Sequence, residues 1–270
     1  MWNDRPGCRW RYSMPSPEPG PLPHPGDPAG IRIFPVLRMG EVAPDDDLVD
    51  LLAGAIDASR SDGALPGGLL DGDVLVVTQK VVSKAEGRIV EIDTADQEAK
   101  QALVERESVR ILRRRDDLLI TETRHGFVCA NAGVDLSNVA AGTAALLPLD
   151  PDRSARRIRE GLEHRHGVAV GVIISDTFGR TWRRGVCDVA IGVAGIAGIV
   201  DLRGKADATG RILESTEVCV ADELAGAAEL VMGKDRAIPA AVLRGVEPGW
   251  LRTASVATEI VRPAGEDLFR

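Results

Sequence analysis

The length, composition and charge of the chain exclude several classes of protein. Its 270 residues suit one large domain or two closely packed ones, and a hydrophobic fraction of 44% allows a sizeable core. With 41 acidic against 33 basic residues, a formal net charge of -8 and 3% aromatic residues, the chain has neither the basic excess nor the stacking platforms of a nucleic-acid binder.

The cysteines and the apolar runs indicate the compartment. Cys8, Cys129, Cys187 and Cys219 are scattered without a C-x-x-C pair, which argues against a disulfide framework or a zinc site. No apolar run reaches the roughly 18 residues that a membrane span needs. We therefore predict a soluble, cytoplasmic protein with reduced thiols.

Residues 1–30 differ in composition from the rest of the chain. The segment 15–26 alternates proline with small or polar residues, a pattern that sustains neither a helix nor paired strands. It also lacks the apolar region of a secretory signal. We predict a disordered, proline-rich leader over residues 1–30, with Met14 as an alternative start, and a folded domain over residues 31–270.

The first elements of the domain are predicted from alternating apolar runs and turn residues. Residues 31–36 read as a strand and 38–42 as a loop. Asp47 and the two aspartates before it predict the start of a helix, because carboxylates stabilise its positive end. After the turn at residues 71–73, residues 74–77 read as a buried strand.

The remaining elements mix helices and strands without a regular βαβ rhythm. The predictions are a charge-dense helix at 95–115, paired strands at 118–132, a helix from about 152 capped by Gly167, a strand at 168–174, a small-residue region at 192–198 where backbones approach closely, a helix at 221–231 ending at Gly233, and a strand at 242–245. This order predicts an α+β fold.

Familiar phosphate-binding motifs are absent from the sequence. Gly204-Lys205 and Gly233-Lys234 lack the other positions of a P-loop, and the glycines at 192–198 do not form a G-x-G-x-x-G fingerprint. The sequence therefore does not predict a Rossmann or P-loop fold.

Two aspartates, each after an apolar run, are the strongest chemical signal. Asp176 with Thr177 follows the predicted strand 168–174, and Asp135 precedes Asn138 on a small-residue turn. Hard oxygens presented at the end of a strand suit Mg²⁺ or Mn²⁺. From the residues alone the alternatives stay open, since Asp-Thr can cap a turn and Asp135 can form an Asx-turn.

Basic residues near these aspartates would complete a phosphate site. Arg180 lies in a cluster with Arg183 and Arg184, and guanidinium groups suit bidentate recognition of phosphate or carboxylate. Lys84 follows the buried strand 74–77. Each of these side chains could equally be solvated, so their combination carries the interpretation.

Several long segments resemble the coenzyme F-420-0:L-glutamate ligase family, whose members add glutamate to a deazaflavin hydride carrier. The resemblance runs from about residue 31 to residue 269. The matching segments are GDVLVVTQKVVSKAEG (72–87), AGVDLSN (132–138), ISDTFGRTWR (174–183), TEVCVADEL (216–224) and the tail 262–269.

The resemblance implies a role for each matching residue. Some relatives place a glutamine metal ligand where this chain has Lys234, and an ammonium group cannot ligate a cation. The implied roles are the guanine-nucleotide loop for Met39, Gly40, Glu41 and Val42, phosphate contacts for Gln79 and Lys84, a nucleotide contact for Asn138, metal binding for Asp135, Asp176 and Thr177, and closure over GTP for the loop 232–239.

The implied activity is that of a GTP- and divalent-metal-dependent ligase over residues 31–270. It would join L-glutamate to coenzyme F-420-0 through an acyl phosphate, with Lys84 as a catalytic residue. We predict Arg180 as a second catalytic residue from the arginine cluster, and the resemblance does not imply that role. Mg²⁺ or Mn²⁺ is the expected cofactor, K⁺ is a further candidate, and the addition of more, γ-linked glutamates stays open. The resemblance also implies an intertwined homodimer of two-lobed, mixed-sheet subunits.

Two other functions stay open at this point. A non-catalytic protein that binds the deazaflavin cofactor would explain the arginines but gives Asp135 and Asp176 no role. A metal-dependent phosphohydrolase would use the aspartates but would form no amide.

Overall fold

A computed structural model describes residues 30–269, so the leader predicted for residues 1–30 lies outside the described residues except for Gly30. The described part mixes helices with several sheets, which confirms the α+β class. Within that part, no helix is long and apolar enough to cross a membrane.

The helices and strands follow one another without a repeating unit. In chain order they are β1 (Arg32–Val36), α1 (Leu48–Ser61), β2 (Val74–Thr78), α2 (Gln79–Ala85), β3 (Ile89–Glu91), α3 (Gln97–Glu107), β4 (Ser108–Arg115), β5 (Leu118–Thr123), β6 (Val128–Ala130), β7 (Thr143–Ala145), α4 (Pro151–His166), β8 (Gly171–Gly179), β9 (Val186–Ala194), β10 (Val200–Asp201), β11 (Glu217–Val218), α5 (Val220–Met232), β12 (Ala240–Arg244) and α6 (Val256–Glu259).

A five-stranded sheet in the order β1-β12-β2-β8-β9 holds the centre of the domain. The pair β2–β8 is parallel, with Val76 opposite Ile173, and the other neighbours are antiparallel. Residues 74–77 are fully buried, which explains their uninterrupted apolar run. Because β2 and β8 run in the same direction, their carboxyl ends meet at one edge of the sheet.

The helix ends confirm several of the predicted caps. The Asp47 side chain accepts hydrogen bonds from the Val49 and Asp50 amides and begins α1. Gly167 has a φ of 70° and ends α4 in the left-handed conformation that favours glycine. Gly233 ends α5, as predicted.

The predicted helix at 95–115 is wrong in its second half. α3 ends at Glu107, and Ser108 begins β4, which pairs antiparallel with β5. A turn at Asp116, whose φ is 52°, connects the two strands. The Arg110–Glu122 ion pair of 2.9 Å links them side by side. The charge density of this segment thus belongs to a solvated hairpin, and pairing with β5 outweighs local helix propensity.

The predicted end of the strand at residue 174 is also wrong. β8 continues to Gly179 because β9 pairs with it along its whole length, with a register shift between Ile174 and Ser175. Asp176 therefore faces Val189 and Thr177 faces Asp188 inside a ladder. The two residues lie in a strand and not on the predicted turn.

Gly192 lies where the start of α4 packs on β9, inside the predicted small-residue region. A Cβ at this position would lie 2.4 Å from the backbone C and O atoms of Pro151, which confirms the close approach. We expect Gly192→Ala to destabilise the fold by about 1–3 kcal/mol through overpacking against backbone. Thermal unfolding followed by circular dichroism measures the change.

The matched control for Gly192 is Gly54, on the exposed face of α1. A Cβ there would meet nothing within 4 Å. Since alanine favours a helix over glycine, Gly54→Ala should raise stability by about 0.5–1 kcal/mol. Equal melting temperatures for the two variants would contradict the assigned contact at Gly192.

Candidate functional site

The site is built where the carboxyl ends of β2 and β8 meet. β2 leads directly into α2, which begins at Gln79 and carries Lys80 and Lys84. The adjacent strand β8 carries Asp176 and Thr177 near its end. The parallel register, with Thr78 opposite Ser175, therefore places the predicted phosphate and metal residues beside one another.

Asp135 reaches the same edge through a bridge to β7. Its backbone exchanges hydrogen bonds of 2.9 and 2.8 Å with Ala145. Its Oδ2 lies 2.7 Å from Lys80 Nζ, and its Oδ1 accepts a 2.7 Å hydrogen bond from the Ser137 amide. The second bond is the Asx-type turn considered for this aspartate, and the turn leaves Oδ2 to pair with Lys80.

Asp176 and Asp135 influence each other electrostatically. Burial raises the pKa of Asp176 to about 7, and the negative charge of Asp135 adds to that rise. Burial opposes ionisation of Asp135 as well, but hydrogen bonds from Lys80 and Ser137 hold its pKa below the ordinary value. A second positive charge near Asp176 would relieve this repulsion.

A second polar cluster lies around Thr177. Its Oγ1 donates a 2.7 Å hydrogen bond to Asp188 Oδ1, and Ser175 Oγ lies 3.2 Å from Asp188 Oδ2. Lys234 Nζ lies 2.5 Å from Thr177 Oγ1, 2.7 Å from Asp188 Oδ1 and 3.1 Å from Glu229 Oε1. Burial opposes the charge on Lys234, but the two carboxylates raise its pKa.

The predicted metal ligands are thus divided between two neighbouring clusters. Successive side chains of a strand point to opposite faces, so Asp176 lies on the face opposite Thr177. Asp176 faces the charges of Asp135 and Lys80, and Asp188 raises its pKa further from the second cluster. Asp135 and Asp176 thus belong to one cluster and Thr177 to the other.

The oxygens around Asp176 suit a hard divalent cation. Within residues 30–269 no group of three or more His, Cys, Asp or Glu side chains is placed to hold a metal. Two carboxylates on their own would leave a bound Mg²⁺ or Mn²⁺ to complete its shell with water and substrate phosphates, which is the usual arrangement at phosphate-transfer sites. Asp135 and Asp176 fit that role.

The predicted nucleotide loop contacts the predicted phosphate lysine. The Lys84 ammonium pairs with the Glu41 carboxylate; the Lys84 side chain is 17% exposed and that of Glu41 83%. Val42 is buried, Met39 packs against the core, and Gly40 is exposed. The loop therefore has two apolar anchors and leaves its polar groups accessible.

Gln79 and Asn138 differ in accessibility. Gln79 is fully buried, its Oε1 accepts a hydrogen bond from Ser83, and its Nε2 has no partner among the described residues. Its side chain is closed off from a ligand, so a phosphate contact at this position would use backbone amides at the start of α2. Asn138 is exposed and has a φ of 54°.

The arginine cluster lies in the connection between β8 and β9. Arg180, Arg183 and Arg184 are all exposed, and Arg180 Nη2 donates to the Arg184 carbonyl at 2.7 Å. None of these guanidinium groups contacts the two clusters in the hydrogen bonds and ion pairs found for residues 30–269. The predicted role of Arg180 stays a prediction.

The sequence analysis assigned no role to three residues of the candidate site. Lys80 stood in a matching segment without an assigned role, and Asp188 and Glu229 were not considered. Asp188 had a detectable signal, since it is a single charged residue in the otherwise apolar strand β9. Glu229 looks like any solvated residue of α5, and only the fold places it beside Lys234.

The sequence matches a described protein family over most of the domain. Residues 36–245 match the family model described as F420-0:Gamma-glutamyl ligase. The matched range spans the central sheet from the last residue of β1 to the end of β12 and contains both polar clusters.

Curated relatives match over nearly their whole length. The chain is 44% identical over 256 residues to the Coenzyme F420:L-glutamate ligase of Methanothermobacter thermautotrophicus, covering 89% of this chain and 99% of the relative. It is 42% identical to the protein of the same name from Methanopyrus kandleri, covering 89% and 98%. For the Methanocaldococcus jannaschii protein of that name the identity is 40%, covering 74% and 85%.

Proposed function

The chain belongs to the F420-0:gamma-glutamyl ligase family, and on that premise we propose that it joins L-glutamate to coenzyme F-420-0 at the expense of GTP. The near full-length similarity to relatives named Coenzyme F420:L-glutamate ligase carries the proposal. The site supports it, because paired carboxylates and lysines at one sheet edge suit phosphate chemistry.

The proposed reaction proceeds in two balanced steps. The terminal carboxylate of F-420-0 attacks the γ-phosphorus of GTP, and GDP leaves with the electrons of the broken P–O bond. The glutamate amine then attacks the acyl phosphate, so that a C–N bond forms and phosphate departs with the electrons of the C–O bond. The amine proton is released to solvent. Activation is needed because a carboxylate is a poor electrophile.

The residues of this chain would bind and orient three anionic reactants. Lys84 would exchange Glu41 for a phosphate group, and the loop 39–42 would hold the guanine base. A divalent cation on Asp135 and Asp176 would neutralise charge on the transferred phosphoryl group. Arg180 would move toward the acceptor or the phosphates from its exposed position.

The proposal also covers the oligomeric state, the compartment, a further ion and the number of glutamates added. We propose a homodimer of two-lobed subunits that acts in the cytoplasm, with K⁺ as a further candidate ion. The addition of further γ-linked glutamates depends on whether the first product can rebind as an acceptor.

Mass spectrometry of the product tests the proposal. Purified full-length chain with F-420-0, GTP, L-glutamate and Mn²⁺ should form a product heavier than the acceptor by one or more glutamyl residues. GDP release should require the acceptor and the metal, and ATP should not replace GTP. Phosphate release without amide formation would indicate a phosphohydrolase, and cofactor binding without GDP release would indicate a carrier; either result would refute the ligase.

A further inference from the structure

The ammonium group of Lys234 has the surroundings of a bound cation. Its three oxygen neighbours, Thr177 Oγ1, Asp188 Oδ1 and Glu229 Oε1, lie within 2.5–3.1 Å. An ammonium group has three donors, so every donor of Lys234 has an acceptor. The Asp188 side chain is 2% exposed and has little access to water. A permanent counter-charge is therefore needed at this position.

Lys80 is held less completely. Its ammonium contacts Asp135 Oδ2 at 2.7 Å and Ser137 Oγ at 3.1 Å, which uses two donors among the described residues. Asp176, on the same side, makes no ion pair with a lysine or arginine of residues 30–269 at salt-bridge distance. Asp176 is therefore the one carboxylate of the two clusters that has no ammonium or guanidinium partner at salt-bridge distance among the described residues.

The summed charge of the two clusters is balanced by one divalent cation. Four carboxylates, on Asp135, Asp176, Asp188 and Glu229, face two ammonium groups. With all four ionised, as cation binding to Asp135 and Asp176 would require, the carboxylates exceed the two ammonium groups by two negative charges, which equals the charge of a single Mg²⁺ or Mn²⁺. Any second divalent cation would have to displace Lys234 from three acceptors or add excess positive charge before the nucleotide is counted.

We propose that Lys234 permanently fills the cation position formed by Thr177, Asp188 and Glu229, so that this chain takes one divalent cation, on Asp135 and Asp176, and not two. The inference deepens the proposed function and rests on it for the metal. It assigns Thr177 to the lysine-filled position, in place of a direct ligand of the divalent cation.

Counting bound manganese tests this assignment. The full-length chain is dialysed to equilibrium against Mn²⁺ with a saturating non-hydrolysable GTP analogue, which is present on both sides of the membrane. We expect one Mn²⁺ per chain for the wild type and for Lys234→Arg, which keeps the charge. Lys234→Gln, which supplies an oxygen in place of the charge, should bind two, with the spin coupling of neighbouring manganese ions in its electron paramagnetic resonance spectrum. Two ions in the wild type, none in the wild type, or one ion in Lys234→Gln would overturn the proposal.

Thermal unfolding provides an independent measurement. Without metal, Lys234→Gln should melt below the wild type, because Asp188 and Glu229 lose their counter-charge. Saturating Mn²⁺ should raise its melting temperature more than that of the wild type, because binding to the folded state stabilises it. An equal Mn²⁺-dependent rise would contradict a second ion.

Product analysis on the same preparations separates this inference from the function on which it rests. If the manganese counts are one and two but no glutamate is incorporated by the wild type, the ligase proposal fails and the role of Lys234 stands. If glutamate is incorporated and the wild type binds two ions, the role of Lys234 fails alone.

Discussion

Asp176→Asn should abolish glutamate incorporation and leave the protein folded. The substitution removes one of the two carboxylates proposed to hold the divalent cation, and loss of preorganised charge stabilisation at a reacting phosphate costs on the order of a thousandfold in rate. Burial and the charge of Asp135 raise the pKa of Asp176, so the ionised carboxylate is disfavoured in the fold. A neutral asparagine should therefore not lower the melting temperature. Product formation and thermal unfolding are the two measurements.

The matched control for Asp176 is an aspartate that belongs to neither polar cluster. Asp116 is an exposed residue in the turn between β4 and β5 with a φ of 52°, a conformation that asparagine tolerates. Asp116→Asn should keep wild-type activity and stability. If Asp176→Asn retained activity within tenfold of this control, the metal role of Asp176 would be refuted.

Arg244→Met should cause the largest loss of stability among the substitutions considered. Arg244 Nη2 lies 2.7 Å from Asp73 Oδ2, and its other donors reach Asp73 Oδ1 and the carbonyls of Pro66 and Gly68. Asp73 is 1% exposed, so the variant would leave a buried carboxylate without a counter-ion. We expect a loss of about 3–5 kcal/mol. For a chain of this size that lowers the melting temperature by on the order of 10 °C.

Two further variants show whether the buried charge is the cause. Arg203→Met removes an exposed ion pair with Asp201 and should leave the melting temperature nearly unchanged. Adding Asp73→Asn to Arg244→Met should restore part of the lost stability, because the uncompensated charge is then gone. A double variant less stable than Arg244→Met would show that lost packing dominates.

Elements with local causes were predictable from the sequence. Asp47 caps α1 through amides two and three residues ahead, and Gly167 ends α4 through its own backbone conformation. β4 and the end of β8 were not predictable, since each is a strand only because a partner strand lies beside it. In β4 the high charge concealed the strand, and in β8 the residues 175–179 read as a turn.

The residues of the candidate site also divide into those that were predictable from the sequence and those that were not. Asp135, Asp176 and Lys84 were candidates from the residues alone, and their segments also resemble a known family. The fold brings the elements that carry them to one edge. The ion pairs of the two clusters join residues that are far apart in the sequence. Lys80 lies 55 positions from its partner Asp135, and Asp188 lies 46 positions from its partner Lys234. No pattern within a window of sequence joins residues so far apart.

The position of β12 in the sheet also determines when the central sheet can be completed during synthesis. β12 lies between β1 and β2, although its residues are translated long after both. Until the ribosome has released residues 240–244, β1 has no neighbour and β2 has one bare edge, and unpaired edges invite association between nascent chains. Completion of the sheet, and with it of the candidate site at its edge, therefore waits until β12 has been translated.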